Sequence, residues 1–136
     1  MSKANDTRGE VSLKLEGEEF VLRPSWDAIN ELERECGDSV VALAQRAYAG
    51  SLRSGEVACI AAACIRAWGR DHDDDQGRIA RNVQTDRVGR LIMDSELGLA
   101  GVQGLLAVLL SLASTGGYTP SGERKAATKK ATTAAA

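Results

Sequence analysis

His72 is the single histidine of the chain, and it lies in a run of charged residues at positions 70–75. A catalytic histidine needs packing that holds its ring in a fixed position beside a nucleophile or a carboxylate. A run of charged residues is typical of a solvated loop, which gives no such support. We therefore predict that His72 lies in a solvated loop and has no catalytic role.

Alternating aspartates in the same run resemble the start of a calcium-binding loop, at Asp71, Asp73 and Asp75. The sixth position of such a loop is a glycine and the twelfth is a bidentate glutamate. Counted from Asp71, these positions are occupied by Gln76 and Asn82. The spacing therefore argues against that loop. The sequence also has no glycine-rich phosphate loop, so we expect no metal and no cofactor.

Four arginines lie close together in the second half of the chain: Arg78, Arg81, Arg87 and Arg90. Such a row can contact phosphates, but solvated helix faces carry similar rows. The net charge of the chain is −2, which argues against a dedicated nucleic-acid binder. Nucleic-acid binding or transcriptional control stays open as an alternative, and a salt-dependent shift with duplex DNA would favour it.

The three cysteines, Cys36, Cys59 and Cys64, have no CxxC spacing, and each lies in an apolar helical pattern. We predict that they are small buried hydrophobic residues of a protein in a reducing, cytoplasmic compartment. No set of polar residues in the sequence corresponds to a known reaction centre. The expected class is therefore a protein that is not an enzyme.

The elements that position these residues begin with two stretches of alternating polar and apolar residues, at about positions 10–16 and 19–23. They predict two short strands joined by a type II′ turn at Gly17-Glu18, in which glycine comes first. Pro24 ends the second strand because it has no N–H to donate. An isolated hairpin is marginally stable, so this one must pack against the helices of the chain.

Apolar residues at three- and four-residue spacing then predict about five helices. The fold class is mainly α, with a small N-terminal β-hairpin packed on a compact bundle of about five helices. Residues 70–84 are predicted as a charged loop with a short helical turn at 76–83, around Ile79 and Val83. Predicted helix caps and ends are Ser25, Gly37, Asp38, Gly50, Ser54, Gly69, Thr85 or Asp86, and Gly98. Predicted core positions of the first two helices include Trp26, Ile29, Leu32, Val40, Val41, Ala44, Ala47 and Tyr48.

The 136 residues fit one domain. Residues 1–8 are polar, and residues 117–136 have no apolar periodicity, so both are predicted to be disordered. The helical domain is predicted to span residues 9–116. The most apolar stretch, residues 97–113, is too short and interrupted for a membrane span, and we expect a soluble protein.

The last predicted helix, at about residues 99–114, has apolar residues over an arc of roughly 200°, wider than one side of a small core requires. Two explanations compete. The helix is the centre of the bundle, or part of the arc binds another chain, since excess apolar surface marks interfaces. The candidate contact residues are Leu105, Val108 and Leu112, at one margin of the arc.

The opening segment contains Gly9-Glu10, Leu13, Leu15, Gly17, Leu22-Arg23, Ala28-Ile29 and Leu32-Glu33. Further along come residues 41–44, Gly50, residues 60–68, residues 88–92 and Gly98. With these residues, the stretch 9–116 resembles the tail-assembly chaperone family of gene transfer agents and tailed phages. Most of the similarity lies in the opening segment, and residues 70–84 are longer than the usual loop.

The resemblance implies a protein that binds the tape-measure protein, a long helical polypeptide, and keeps it soluble until tail-tube subunits polymerise around it. Contact with the tail-tube protein and self-association are further expectations. Such a chaperone acts in the host cell cytoplasm and is absent from the mature particle. A minor structural component of the tail, or a connector retained in the particle, is the other alternative.

Overall fold

The computed structural model describes residues 11–125, and these form a two-stranded hairpin followed by six helices. The mainly α fold with its N-terminal hairpin is therefore confirmed. The elements are β1 (Val11–Leu15), β2 (Glu18–Leu22), α1 (Trp26–Cys36), α2 (Val40–Tyr48), α3 (Ser54–Arg70), α4 (Asp75–Arg81), α5 (Thr85–Asp94) and α6 (Gly98–Ser114).

The hairpin turns at Glu16 and Gly17, one residue earlier than predicted, with Leu15 opposite Glu18. Both turn residues have positive φ, 50° and 79°, which is the pattern of a type I′ turn. The predicted type II′ turn at Gly17-Glu18 is therefore wrong. The inward side is as expected, because Leu13 and Leu15 are buried.

Helix α1 begins and ends at the predicted residues. The Ser25 hydroxyl accepts a hydrogen bond from the Ala28 N–H at 3.2 Å, and Gly37 closes the helix with a φ of 73°. Trp26 was predicted to be in the core, but 64% of it is exposed. It lies two residues before the buried Ala28, which is about 200° around the helix, so Trp26 and Ala28 point to opposite sides.

Helix α2 is capped by Ser39 rather than by Asp38, whose carboxylate lies 3.2 Å from an Arg46 nitrogen. Its buried residues are Leu43, Ala44 and Ala47. The predicted core positions Val41 and Tyr48 are exposed. Ala44, Ala47 and Val40, which packs partly buried against the core, lie as predicted. The predicted stripe extends too far around the helix because α2 has apolar residues around most of its circumference.

Helix α3 is the centre of the fold, since β2, α1, α4, α5 and α6 all pack against it. Every residue from 57 to 65 is buried, and most of them are alanine or cysteine. These small side chains allow neighbours to approach from all sides. The central position that we considered for the last helix therefore belongs to α3.

Gly69 was predicted to end α3, but the helix continues to Arg70. A Cβ at Gly69 would lie 2.6 Å from the Gly77 carbonyl oxygen and 2.9 Å from the Ala80 carbonyl carbon. The glycine is there because α4 packs directly on the α3 backbone. The predicted charged loop at 70–84 thus contains a sixth helix.

Helix α4 begins with an Asp74 cap, whose carboxylate accepts the Gly77 N–H at 2.8 Å. Its buried positions are Gly77 and Ala80, whereas Ile79 is half exposed. Ile79 was predicted to be a centre of the turn, and its predicted inward orientation is wrong. The close contact of α4 with Gly69 of α3 turns Ala80 toward α3 instead.

Helix α5 buries Val88, Leu91 and Ile92 as predicted. Its cap position is Gln84, one residue before the predicted cap, and the Gln84 side chain makes no cap hydrogen bond. Within residues 11–125, no single helix is long and apolar enough to cross a membrane; α5 and α6 meet those criteria only as a pair, bent by 115°.

Residues 117–125, which we expected to be disordered, fold back beside the start of α1. Tyr118 is buried and pairs with Arg124 in a β-bridge. The Pro120 carbonyl accepts the Trp26 N–H at 2.8 Å. The rest of the predicted tail and the N-terminal residues 1–10 lie outside the described residues.

Candidate partner-binding surface on helix α6

Helix α6 is held on its inner side by α2, α3 and α5. The Gln103 side-chain oxygen accepts the Leu52 N–H at 2.8 Å, which ties α6 to the segment between α2 and α3. Gln103 lies opposite the apolar arc of the helix in the sequence pattern, and nothing in that pattern indicated this contact. The buried residues of α6 are Val102, Leu106, Ala107, Leu109 and Leu110.

The structure brings the three candidate contact residues together at the edge of this buried side. Val108 is 50% exposed, and Leu105 and Leu112 are half-buried. No residue of Gly98–Ser114 is charged. An outer face of α6, which includes one residue before and one after the helix, consists of Leu97, Gly101, Gly104, Val108, Ser111 and Thr115.

A groove of about 460 Å³ lies beside α6, between the first half of α3 and α5. Its lining includes the small residues Gly55, Ala58 and Gly89, and a Cβ at Gly89 would lie 3.1 Å from that of Ala58. Met93, 74% exposed, and Leu99 add apolar surface. Methionine adapts to irregular partners, so this groove extends the apolar surface toward α5.

The sequence led us to expect a groove between the last helix and the third, but not the side of the groove that α5 contributes, because that side depends on how α3 and α5 cross. Met93 follows the buried Ile92, about 100° away from the inner stripe of α5, and it therefore looked like an isolated surface residue. The one available signal was Gly89, a small residue on a helix that otherwise carries larger side chains.

An ion-pair network fixes α2, and with it the support of α6. The Arg46 guanidinium lies 2.8 and 2.7 Å from the two oxygens of Glu56. This contact holds the pKa of the Glu56 carboxyl down at about 2. Glu56 also accepts the Arg53 N–H at 2.8 Å, so it closes the first turn of α3.

His72 is half-buried rather than solvated as predicted. Its ring stacks on Trp68 with 3.9 Å between the ring centroids, and its Nδ1 lies 2.8 Å from the Trp68 carbonyl oxygen. Arg81 donates to the Gly69 and His72 carbonyls. These contacts join the end of α3 to α4 and give His72 a structural position.

The aspartates beside His72 make different structural contacts. Asp71 forms an ion pair with the buried Arg23, and Asp74 caps α4. Within residues 11–125, no group of three or more histidine, cysteine, aspartate or glutamate side chains is arranged to hold a metal ion.

The four arginines of the second half do not act as one row. Arg81 is engaged by backbone carbonyls. Arg78 pairs with Asp75 at 3.3 Å and Arg90 with Asp86 at 2.9 Å. The local positive charge is therefore largely balanced within α4 and α5, which weakens the nucleic-acid alternative.

The cysteines are free thiols; Cys59 and Cys64 are buried and Cys36 is half-buried. Burial raises the pKa of the Cys64 thiol to about 12. A hydrogen bond with Cys59 lowers the pKa of Cys36 and raises that of Cys59. Both thiols of this pair occupy the contact between α1 and α3.

The comparisons with known proteins bear on residues 8–116, which match the family described as "Phage tail tube protein, GTA-gp10". No curated protein and no solved structure matches the chain. The resemblance to proteins of phage tails is thereby confirmed. The match does not distinguish a tail-assembly chaperone from another tail protein. The chain belongs to the phage tail tube protein family GTA-gp10.

Proposed function

We propose that this protein is a tail-assembly chaperone that binds the tape-measure protein and keeps it soluble until tail-tube subunits enclose it. Membership of a phage tail family supports a role in the tail. The observation that carries the finer proposal is the uncharged, partly exposed side of α6 with Leu105, Val108 and Leu112. The apolar stripe of a helical client can pack against such a surface in the same way that an amphipathic helix packs into an apolar groove.

The exposed part of this side of α6 suits a weak and reversible contact. Full burial of a valine or leucine side chain contributes about 1.5–3 kcal/mol, and Val108 is already half-buried. Covering its exposed half adds about 1 kcal/mol by the same scale. Association itself opposes binding by several kcal/mol, so each copy binds weakly through this surface, and many copies are needed to cover one long client. Tail-tube subunits then displace the copies one at a time.

A structural component of the tail is the second candidate, because the description of the family names the tail tube. The two roles differ in the final location of the protein. A chaperone acts in the host cytoplasm and is missing from finished particles, whereas a tube subunit or connector is present in stoichiometric amounts. Mass spectrometry of purified particles separates them.

The proposed role involves no catalysis and no cofactor. Within the described residues, the polar side chains that the sequence singled out are engaged in structural contacts: His72 with Trp68, Asp71 with Arg23, and Arg81 with two carbonyls. These contacts favour a scaffold over a reaction centre.

The test is co-expression of the full chain with the tape-measure protein of the same phage or gene transfer agent. Wild-type protein is expected to keep the client in the soluble fraction and to co-purify with it. Val108→Asp is expected to abolish co-purification because it places a charge in the apolar contact. Ile79→Asp, an apolar-to-Asp change on α4 at the same 50% exposure, is the control and should bind normally.

Circular dichroism and thermal unfolding of both variants check that the fold is intact. A client that stays insoluble with the wild-type protein contradicts the chaperone role. Equal binding by Val108→Asp and Ile79→Asp removes α6 as the contact surface.

A further inference from the structure

Gly104 lies in the middle of α6 on its outer face, and the contacts of the protein give no reason for a glycine there. Within residues 11–125, and apart from its chain neighbours and the nearby backbone of α6 itself, no atom lies within 4 Å of a Cβ placed at Gly104, and its φ is not positive. By contrast, Gly69 and Gly77 lie against backbone atoms of neighbouring elements. Glycine destabilises the interior of a helix relative to alanine, so a close approach from outside the chain would account for it.

The outer face of α6 has the spacing of a helix–helix contact. Its six residues, defined above, succeed one another at intervals of four and three residues, which keeps them on one seam. Val108 is the large side chain near the middle of the seam, one turn after Gly104. The helix therefore presents a projection and a notch side by side.

We propose that the outer face of α6 binds the same face of a second copy of this chain, with the two helices antiparallel. A two-fold axis between Gly104 and Val108 places Val108 of each copy over Gly104 of the other. The same register places Gly101 opposite Ser111 and Leu97 opposite Thr115. Each pair joins a smaller residue to a larger one.

Charge at the two ends of α6 favours this occupant and this orientation. Asp94 and Glu96 are exposed just before α6 begins. Arg124 and Lys125 follow Glu123 at the other end, where the Arg124 guanidinium and the Lys125 backbone N–H donate to the Gly117 carbonyl, at 3.3 and 2.8 Å; the net charge of these three residues is positive. An antiparallel pair brings the acidic end of one copy to the basic end of the other, and it also opposes the helix dipoles. A parallel pair would bring like charges together.

The first test is sedimentation of the full-length protein up to about 100 μM, a concentration at which even weak pairs form. The wild-type chain is expected to form dimers, and Gly104→Leu is expected to weaken them at least tenfold because its side chain fills the notch. Gln45→Leu, on the exposed side of α2, is the matched control and should dimerise normally. A monomeric wild type, or a dimer unaffected by Gly104→Leu, overturns the proposal.

The second test fixes the orientation by disulfide cross-linking under mild oxidation. Leu97→Cys and Thr115→Cys lie at opposite ends of the seam, about 27 Å apart at 1.5 Å per residue. A mixture of the two variants is expected to give cross-linked pairs, and each variant alone is expected to give few. Efficient linking of either variant to itself indicates a parallel pair and contradicts the proposal.

This inference does not rest on the chaperone role, because both tests use the protein alone. If both proposals hold, the second copy and the client compete for Val108, and Gly104→Leu then leaves more monomer available to the client.

Discussion

Gly69 and Gly104 both lie inside long helices, and the same substitution to alanine is expected to have opposite effects at the two positions. At Gly104 the added methyl group meets no atom of residues 11–125 within 4 Å, apart from its chain neighbours and the nearby backbone of α6 itself. At Gly69 it meets the backbone of α4, with the Gly77 oxygen at 2.6 Å and the Ala80 carbonyl carbon at 2.9 Å.

The magnitudes are set by helix propensity and packing. Gly104→Ala should raise the free energy of unfolding by about 0.5–1 kcal/mol, the usual gain in a helix interior. Gly69→Ala gains the same propensity term, but α4 must move away, and overpacking of this kind costs about 1–3 kcal/mol or more. The contact is with backbone rather than a flexible side chain, so the net loss should be about 1–2 kcal/mol or greater. For a domain of this size these changes correspond to a Tm about 3 °C higher and about 4–8 °C lower, respectively.

The assay is thermal unfolding monitored by circular dichroism, at low micromolar protein so that association of copies does not contribute. A urea titration of each variant checks that the slope, and therefore the two-state transition, is unchanged. A Gly69→Ala protein as stable as the wild type would refute the close packing of α4 on α3. A destabilised Gly104→Ala would show that the outer face of α6 is covered within the chain itself.

Three further predictions concern charged and buried groups. Glu56→Gln should lower the free energy of unfolding by about 1–2 kcal/mol at neutral pH, because the pKa of Glu56 in the folded protein, about 2, is below its ordinary value. In unfolding measured as a function of pH, the difference from wild type should be complete above about pH 4.5 and should vanish as the pH falls toward 2. Arg66→Met should lower stability by about 2–3 kcal/mol in urea titrations, since Arg66 lies 2.5 Å from Glu31 and 2.8 Å from the Val83 carbonyl oxygen and its loss leaves the largely buried Glu31 carboxylate with only the longer contact to Arg70, at 3.7 Å; an effect below about 0.5 kcal/mol would contradict this. The Cys64 thiol, whose pKa burial raises to about 12, should resist alkylation at pH 8 until the protein is unfolded, as mass spectrometry of the labelled peptides would show; rapid labelling in the folded state would contradict its burial.

Local signals in the sequence were sufficient for the parts of the fold that depend on neighbouring residues. Ser25 and Gly37 mark the two ends of α1, and both could be predicted because capping and left-handed glycine geometry are decided within a few residues. The inner stripe of α5, with Val88 and Leu91, was predictable from periodicity.

The parts that sequence reasoning missed depend on which elements meet. Gly69 looked like a helix end, yet its role is set by α4, which lies across it. Trp26 and Tyr48 looked like core residues, because size and apolarity do not show which side of a helix has a neighbour. Val108, a candidate contact residue from the sequence, is half exposed, and its role as a contact stays a prediction. The groove at Met93 arises from the crossing of α3 and α5 and has no periodic signature.

The central position of α3 has a consequence for how the chain acquires its structure during synthesis. Elements that precede α3, namely β2 and α1, and elements that come after it, namely α4, α5 and α6, all depend on its buried alanines. Neither half of the chain has a complete core, so unfolding should proceed as one cooperative event rather than in stages. On the ribosome, the N-terminal half is left with an uncovered face of α3 until α5 and α6 emerge, which is when the nascent chain is most prone to aggregate.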